Sequence, residues 1–290
     1  MKNKLCLVLL ILCAHFSIQA AVPQTERDAL VALYNATDGA NWTNNNNWLV
    51  GDPCDNNWYG ITCGANTVTE VDLFLNNLSG TIPSDIDVLS NLTNLDLGYN
   101  NLTGMIPVEI GYMINLESLA LFRNQLSGPI PNQLSNLTNL SYFAVSNNDL
   151  TGTIPTWLGN LTLLSNLQLH NNNFTGSIPT ELGGLVNLSI LNLSGNNLSG
   201  NIPKELGDLS DLFYLLLNSN ELTGGIPPEL GNLSNWLIWL DLSHNQLTGN
   251  IPSTMGNILN LNWLNLSNNQ LNGSIPTTLG NLSQLKELDL

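Results

Sequence analysis

Apolar residues recur along this chain with a fixed period, from Val71 to the C-terminus. Residues 95–107 show the unit, which reads Leu-x-Leu-x-x-Asn-x-Leu-x-Gly-x-Ile-Pro. Its asparagine recurs every 24 residues, except for one step of 25, at Asn76, Asn100, Asn124, Asn148, Asn172, Asn196, Asn220, Asn245 and Asn269. Nine matches to this pattern identify an internal repeat, and the repeat determines the fold class whatever the variable residues are.

The unit predicts its own local structure. Leu95 and Leu97 flank Asp96, and this alternation predicts a short strand with both leucines on one face. Asn100 is expected to hydrogen-bond backbone groups where the chain turns, and to stack from repeat to repeat as a ladder. Residues 108–119 fit a helical or 3₁₀ turn. One repeat cannot bury its own leucines, so the repeats must stack into a parallel β-solenoid.

This unit resembles the leucine-rich repeat. Its Leu-x-Gly-x-Ile-Pro half resembles the plant-type subclass, which occurs in receptor-kinase ectodomains, polygalacturonase inhibitors and some ice-binding proteins. The resemblance covers residues 68–290, as nine 24-residue repeats and a truncated tenth. It implies an α/β repeat solenoid, a right-handed superhelix with a parallel β-sheet on its concave face. It is less specific for function, because the variable positions decide what each member binds.

Residues 1–20 predict a secretory signal peptide. Lys2 and Lys4 precede an apolar stretch at residues 5–14, and Ala20 supplies a small residue before the expected cleavage. The mature protein is therefore expected to be secreted or displayed at the cell surface. No later stretch is apolar over the length that a membrane span needs, so no membrane insertion is expected.

Residues 21–67 predict an N-terminal cap. Cys54 and Cys63 are the two cysteines that remain after signal removal, and an oxidising compartment favours a disulfide between them. The segment 25–28, Thr-Glu-Arg-Asp, predicts a helix start with Thr25 as its cap.

Four aromatic residues of this segment are expected to cover the leucines of the first repeat, with sugar binding as the alternative: Trp42, Trp48, Trp58 and Tyr59. The order of tryptophans and cysteines resembles the N-terminal cap of plant-type repeat proteins. The asparagine run 44–47 and the spacer 55–57 bring it closer to bacterial or protist relatives.

The C-terminal residues 285–290 begin a tenth repeat and stop in mid-strand. A solenoid that ends this way exposes leucines and an unpaired strand edge. We expect this end to self-associate or to fray from Leu264 onward, and the natural protein to continue beyond Leu290.

Charge and motifs argue against several function classes. The net charge of −16 becomes −18 without Lys2 and Lys4, which leaves four basic residues against 22 acidic ones. Such a surface disfavours nucleic acid and suits a cationic partner. His170 and His244 lie three repeats apart, roughly 14 Å at the strand spacing, too far to share a metal ion. No phosphate loop or metal motif appears, so we expect no enzyme, no cofactor and no metal.

The solvent-facing strand positions are the candidate ligand-binding site. The residue before the first strand leucine is small or polar in most of the first six repeats but aromatic in the last three, at Tyr214, Trp239 and Trp263. Such a cluster predicts a ligand-binding surface, with Phe213, Leu216 and Ile238 beside it and Tyr142 further along the same face. The alternative is that these rings only stiffen the sheet or pack against a C-terminal part. A second, weaker group is Phe74, Tyr99, Phe122 and Arg123.

These observations predict a recognition module that binds a protein, peptide or carbohydrate through its concave face. One alternative, suggested by the resemblance, is an inhibitor of a secreted hydrolase of the polygalacturonase-inhibitor kind. The other is ice binding through a column of mostly hydroxyl residues: Ser79, Thr103, Ser127, Thr151, Thr175, Ser199, Thr223, Thr248 and Asn272. Sixteen Asn-x-Ser/Thr sequons also occur, and whether they carry glycans stays open.

Overall fold

The computed structural model describes residues 21–234 and 236–290, so the predicted signal peptide lies outside the described residues. The described chain opens with helix α1 (Gln24–Ala36). The predicted cap at Thr25 is wrong, because the helix begins after Pro23 and Thr25 already lies in its first turn. Proline fixes its own φ and suits a helix start, and no side chain caps this end. Asp28 instead accepts a hydrogen bond from Gln24 Nε2 at 2.7 Å.

Among the described residues, the main sheet has eleven strands, and ten of them run parallel, one repeat after another. Numbered along the chain, they are β1 (Ile61–Gly64), β2 (Thr67–Asp72), β4 (Asn94–Asp96), β6 (Ser118–Ala120), β8 (Tyr142–Ala144), β10 (Asn166–Gln168), β12 (Ile190–Asn192), β14 (Tyr214–Leu216), β16 (Trp239–Asp241), β18 (Trp263–Asn265) and β20 (Glu287–Asp289). Only β1 is antiparallel, as the hairpin partner of β2. Equivalent leucines pair in register, such as Leu95 with Leu119, and both are fully buried. The parallel solenoid is confirmed.

Three smaller sheets follow the asparagine column, and the sequence did not predict them. Their strands are β3 (Ser79–Gly80), β5 (Asn101–Met105), β7 (Gln125–Gly128) and β9 (Asp149–Leu150); β11 (Thr175–Gly176), β13 (Asn197–Asn201) and β15 (Glu221–Thr223); and β17 (Thr248–Asn250) and β19 (Gln270–Asn272). They contain glycine and polar residues, which carry little strand signal. Gly104 has φ of +81°, which glycine adopts without strain.

A short 3₁₀ helix follows the proline of each repeat, as predicted for the second half of the unit. These helices cover Ser84–Val88, Val108–Tyr112, Asn132–Asn136, Thr156–Asn160, Thr180–Gly184, Lys204–Asp208, Pro228–Asn232, Ser253–Asn257 and Thr277–Asn281, and a further one lies in the cap at Gly39–Asn41. Helices of successive repeats stack on one another.

The predicted asparagine ladder is confirmed. Asn100 is buried, and its Nδ2 donates to the carbonyl oxygens of Leu73, Leu97 and Gly98 at 2.9–3.0 Å. Its Oδ1 accepts from the backbone N–H of Leu78 at 2.9 Å. One side chain therefore satisfies backbone groups of its own repeat and of the preceding one, where the turn offers no sheet partner.

Three tryptophans of the cap close the N-terminal end of the core. Trp42, Trp48 and Trp58 are buried, and the Trp48 ring lies 4.8 Å from that of Trp42 and 4.9 Å from that of Trp58. These three rings therefore cover the core rather than offering a sugar-binding surface. Tyr59, by contrast, is exposed.

The predicted disulfide between Cys54 and Cys63 is confirmed, with the two Cα atoms 5.9 Å apart. We expect Cys63→Ser to lower the free energy of unfolding by about 2–3 kcal/mol, because the bond restricts the unfolded chain. Urea unfolding followed by tryptophan fluorescence measures this, and Cys54→Ser should give the same loss. Two reactive thiols in the oxidised wild-type protein would contradict the assignment.

The last repeat exposes apolar side chains. Ile275, Leu288 and Leu290 are exposed, and among the described residues β20 pairs on one side only, with β18. Self-association through this end stays a prediction.

Candidate functional site

Three aromatic rings form a continuous row on the main sheet, which we call the aromatic stripe: Tyr214 on β14, Trp239 on β16 and Trp263 on β18. The three residues pair in register, with ring centroids 6.3 Å apart for the first pair and 5.5 Å for the second. The extra residue of the 25-residue repeat does not disturb this pairing, as expected. Trp239 is 38% exposed, so a large part of its ring is available to a ligand.

The chemistry around the aromatic stripe suits a cation. A shallow depression is lined by Trp239 and Trp263 together with the carboxylates of Asp241 and Glu287. Lys286 already places its Nζ 4.9 Å from the Trp263 ring centroid. The faces of aromatic rings attract cations, and the two carboxylates add to that attraction.

The expected position of Phe213 and Ile238 beside the aromatic stripe is wrong. Phe213 stacks on Trp236, with centroids 5.8 Å apart and an interplanar angle of 28°. Ile238 lines a groove with this pair, separate from the depression at Trp239. Both residues lie just outside a strand, since β14 begins at Tyr214 and β16 at Trp239, so the alternation of the strand does not place them on the face that carries the stripe. Trp236 was missed because the 25-residue spacing shifts it off the 24-residue grid.

Tyr142 stands apart from the aromatic stripe. It lies on β8 between Ser118 and Asn166 of the neighbouring strands, so β10 and β12 separate it from Tyr214. Burial raises the pKa of its hydroxyl, and the carboxylate of Asp96 adds to the shift. Its place on the same sheet is as expected, but it does not extend the row of rings.

The second aromatic group is a contiguous cluster at the strand exits. The Phe74 ring lies 6.0 Å from Tyr99 and 5.9 Å from Phe122, and the Arg123 guanidinium lies 5.1 Å from the Tyr99 centroid. Phe74 and Phe122 are two repeats apart and meet across Gly98. A Cβ at Gly98 would lie 2.7 Å from Phe122 Cε1, so a side chain there would displace the ring.

A pair of acidic residues lies near this cluster, on adjacent strands. Asp96 on β4 is half-buried and pairs with Asp72 on β2. Burial raises the pKa of the Asp96 carboxyl, and the neighbouring Asp72 raises it further, against a backbone hydrogen bond from Gly98 at 2.8 Å. The folded chain therefore holds this proton to a higher pH than the unfolded chain does.

We expect Asp96→Asn to stabilise the protein near neutral pH. A raised carboxyl pKa contributes stability that is present below the ordinary pKa of 3.8 and is lost as the pH rises through the folded value. The asparagine side chain cannot ionise, so the variant does not lose this stability at neutral pH. Its free energy of unfolding should exceed that of the wild type by less than about 1 kcal/mol at neutral pH and equal it in acid. Asn192 already occupies the equivalent position, where its Oδ1 accepts from the Ser194 N–H at 3.1 Å. Urea midpoints of the wild type and the variant, measured at neutral pH and in acid, check this. A lower midpoint for the variant at neutral pH would contradict it.

The histidines of the repeats offer no joint site. Burial lowers the pKa of His170, and the charge of Arg123 adds to the shift, so its ring is neutral at physiological pH. Within residues 21–234 and 236–290, no group of three or more histidine, cysteine or acidic residues could hold a metal ion. No helix of the same ranges is both long and apolar enough to cross a bilayer.

Comparison with known families agrees with the repeat geometry. Residues 23–64 match the Leucine rich repeat N-terminal domain. The Leucine Rich Repeat family matches eight further segments, which together cover more than half of the chain: 91–113, 115–137, 139–161, 163–185, 187–209, 211–233, 236–258 and 260–282.

Three solved structures show how far the similarity extends. The ectodomain of the receptor kinase GASSHO1/SCHENGEN3 from Arabidopsis thaliana, in complex with CASPARIAN STRIP INTEGRITY FACTOR 2, is 40% identical with a TM-score of 0.86, over 90% of this chain and 32% of that chain. The Arabidopsis HAESA ectodomain, with an IDA peptide hormone ligand, is 36% identical with a TM-score of 0.80, over 90% of this chain and 44% of that chain. A plant ice-binding protein is 30% identical with a TM-score of 0.74, over 89% of this chain and 90% of that chain.

The chain thus spans less than half of the two receptor ectodomains but nearly all of the ice-binding protein. The repeat unit, the N-terminal cap and these neighbours agree, and they fit a ligand-binding module. The chain belongs to the leucine-rich repeat family, in its plant-type form.

Proposed function

We propose that this chain is an extracellular recognition module that binds a cationic peptide along its concave face, with the aromatic stripe as the main contact. The observation that carries the proposal is the in-register row of Tyr214, Trp239 and Trp263 with two carboxylates beside it. The neighbour solved with a peptide hormone shows that this architecture can hold a peptide. The proposal assigns no catalytic step to the chain.

The geometry suits an extended ligand that crosses the strands. An arginine or lysine of the peptide would lie over Trp239, within reach of Asp241 and Glu287, because Lys286 already lies over Trp263. An aromatic or aliphatic neighbour in the peptide would pack on Tyr214. The chain carries a formal charge of −16, so its field also favours the approach of a cationic ligand.

A random peptide library displayed on phage tests this proposal with the mature wild-type protein. We expect enrichment of peptides that combine arginine or lysine with an aromatic residue, and binding that weakens as salt screens the charges. Enrichment of acidic peptides, or no enrichment at all, would overturn it.

Ice binding is a second candidate, favoured by the plant ice-binding protein that matches this chain along nearly its whole length. Two hydroxyls of the column are held in place, since the side chains of Thr103 and Thr175 donate to the carbonyl oxygens of Gly80 and Gly152 at 3.1 and 3.3 Å. Regularly spaced, fixed hydroxyls are what an ordered water layer requires. Thermal hysteresis of the purified protein tests this function, and its absence would remove the candidate.

Inhibition of a secreted hydrolase stays a hypothesis. A fall in hydrolysis of the target's substrate on adding the purified protein would support it, and unchanged hydrolysis would count against it.

A further inference from the structure

A groove lies at the edge of the main sheet, where the chain enters the strands. We call it the edge groove; its volume is about 280 Å³, and it is lined by Phe213, Trp236, Ile238, Asn260, Asn262 and Gln284. Trp236 is 53% exposed and stacks on Phe213. None of the six lining side chains carries a charge, although the whole chain is strongly acidic.

The earlier repeats show what this edge looks like without a groove. Two positions per repeat form this edge, the ones equivalent to Trp236 and to Ile238. The position equivalent to Trp236 is usually asparagine. Its amide then donates to a backbone carbonyl of the preceding repeat, as in Asn115 to Ser90, Asn139 to Ile114 and Asn187 to Thr162, at 2.8–3.1 Å. The other position often holds a serine or threonine that also donates to a carbonyl, as in Thr93 to Thr69, Ser141 to Glu117 and Ser165 to Ser141.

The chain departs from this arrangement at Phe213, Trp236 and Ile238. Packing of the solenoid does not require large apolar side chains here, because the other repeats fold with small polar ones at the same edge. The next two repeats then return to carboxamides, at Asn262 and Gln284. Asn262 donates to the carbonyl oxygen of Asn260 at 2.9 Å, which holds its side chain in one orientation. A flat aromatic surface therefore lies beside two neutral amides, of which Asn262 is held by a hydrogen bond.

We propose that the edge groove binds a neutral oligosaccharide, with one pyranose ring stacked on Trp236 and its hydroxyl groups bonded to Asn262 and Gln284. A pyranose ring presents C–H groups on its faces, which pack on an aromatic surface, and hydroxyls around its rim. A carboxamide both donates and accepts hydrogen bonds, as a hydroxyl does, so the two match without any charge. A purely apolar partner would leave the carboxamides unpaired on burial.

The charge of the protein selects against acidic sugars. An oligomer of uronic acid would meet the repulsion of the acidic chain, and no lining residue would neutralise its carboxylates. The edge groove shares no residue with the aromatic stripe, so the sugar proposal can be tested independently of the peptide proposal.

Titration calorimetry with mature protein tests the site, using neutral hexamers of glucose, mannose, galactose and xylose and a galacturonic acid hexamer as the charged comparison. We expect at least one neutral hexamer to bind and the galacturonic acid hexamer not to bind. The variant Phe213→Ser with Trp236→Asn gives this edge the residue types found at Ser189 and Asn187. Its fold should survive, while the Kd for the bound hexamer should rise about tenfold or more.

Two single variants serve as controls. Leu163→Asn changes an exposed side chain at the position equivalent to Trp236 in another repeat, and Trp239→Ala removes a ring of the aromatic stripe. Neither should change the hexamer affinity. Failure of every neutral hexamer to bind, preferred binding of the acidic one, or full affinity in the double variant would overturn the proposal. Loss of affinity in Trp239→Ala alone would place the sugar on the aromatic stripe and overturn it equally.

Discussion

Replacing Asn148 with alanine is expected to lower the free energy of unfolding by about 3 kcal/mol or more. Asn148 is buried in the middle of the ladder, where its Nδ2 donates to the carbonyl oxygens of Leu121 and Val145, both at 3.0 Å. Its Oδ1 accepts from the Leu126 N–H at 2.9 Å. Alanine leaves all of these buried backbone groups without this partner, and each unsatisfied group costs about 1–3 kcal/mol.

Hydrogen exchange should show where the loss falls. Each repeat of a solenoid contacts only its neighbours, and the Asn148 side chain bonds its own repeat and the preceding one, so its loss weakens the interface with the preceding repeat. Protection of the Leu126 amide should fall first, and the array should separate at this point in urea. Asp149→Ala is the matched control, because Asp149 is the next residue and its side chain is exposed. A urea midpoint as high as that of Asp149→Ala would show that the ladder does not hold the repeats together.

The solenoid could be predicted because it depends on few, regularly spaced residues. Leu95, Leu97 and Asn100 recur with their partners one period away, so the period alone specifies both the strand pairing and the ladder. The smaller sheets could not be predicted in this way. Strands such as β5 form because the main sheet has already brought Asn101 and Ser79 together, and not because their own residues favour extended chain.

The candidate site was predicted only where it follows the period. Tyr214, Trp239 and Trp263 share one strand position, so their alignment followed directly from the repeat. Phe213 and Ile238 were assigned to the same surface by closeness in sequence, although they lie outside the strands and line a separate groove with Trp236. The ligand itself cannot be derived from the period, because solvent-facing positions are free to differ in every repeat.

The double variant Trp239→Ala with Trp263→Ala is expected to weaken peptide binding about 100-fold or more. Central aromatic residues of an interface often contribute about 2 kcal/mol or more each, and these two rings are adjacent, 5.5 Å apart. Neither ring belongs to the buried core, so the thermal midpoint should shift by only a few degrees, about what a small surface change produces. Calorimetry with a peptide enriched by wild-type protein measures the affinity, and thermal unfolding measures the fold.

Tyr112→Ala is the control for this pair, because Tyr112 is an exposed aromatic residue of a 3₁₀ helix, away from the strands. It should leave both the affinity and the midpoint unchanged. A midpoint that falls by many degrees in the tryptophan variant would show that the two rings support the fold rather than a ligand. Full peptide affinity in a well-folded variant would move the binding site elsewhere. The cluster of Phe74, Tyr99 and Phe122 would then be the next surface to test. The rings of Tyr99 and Phe122 both lie within 6.0 Å of the Phe74 ring, and Arg123 adds a positive charge over Tyr99.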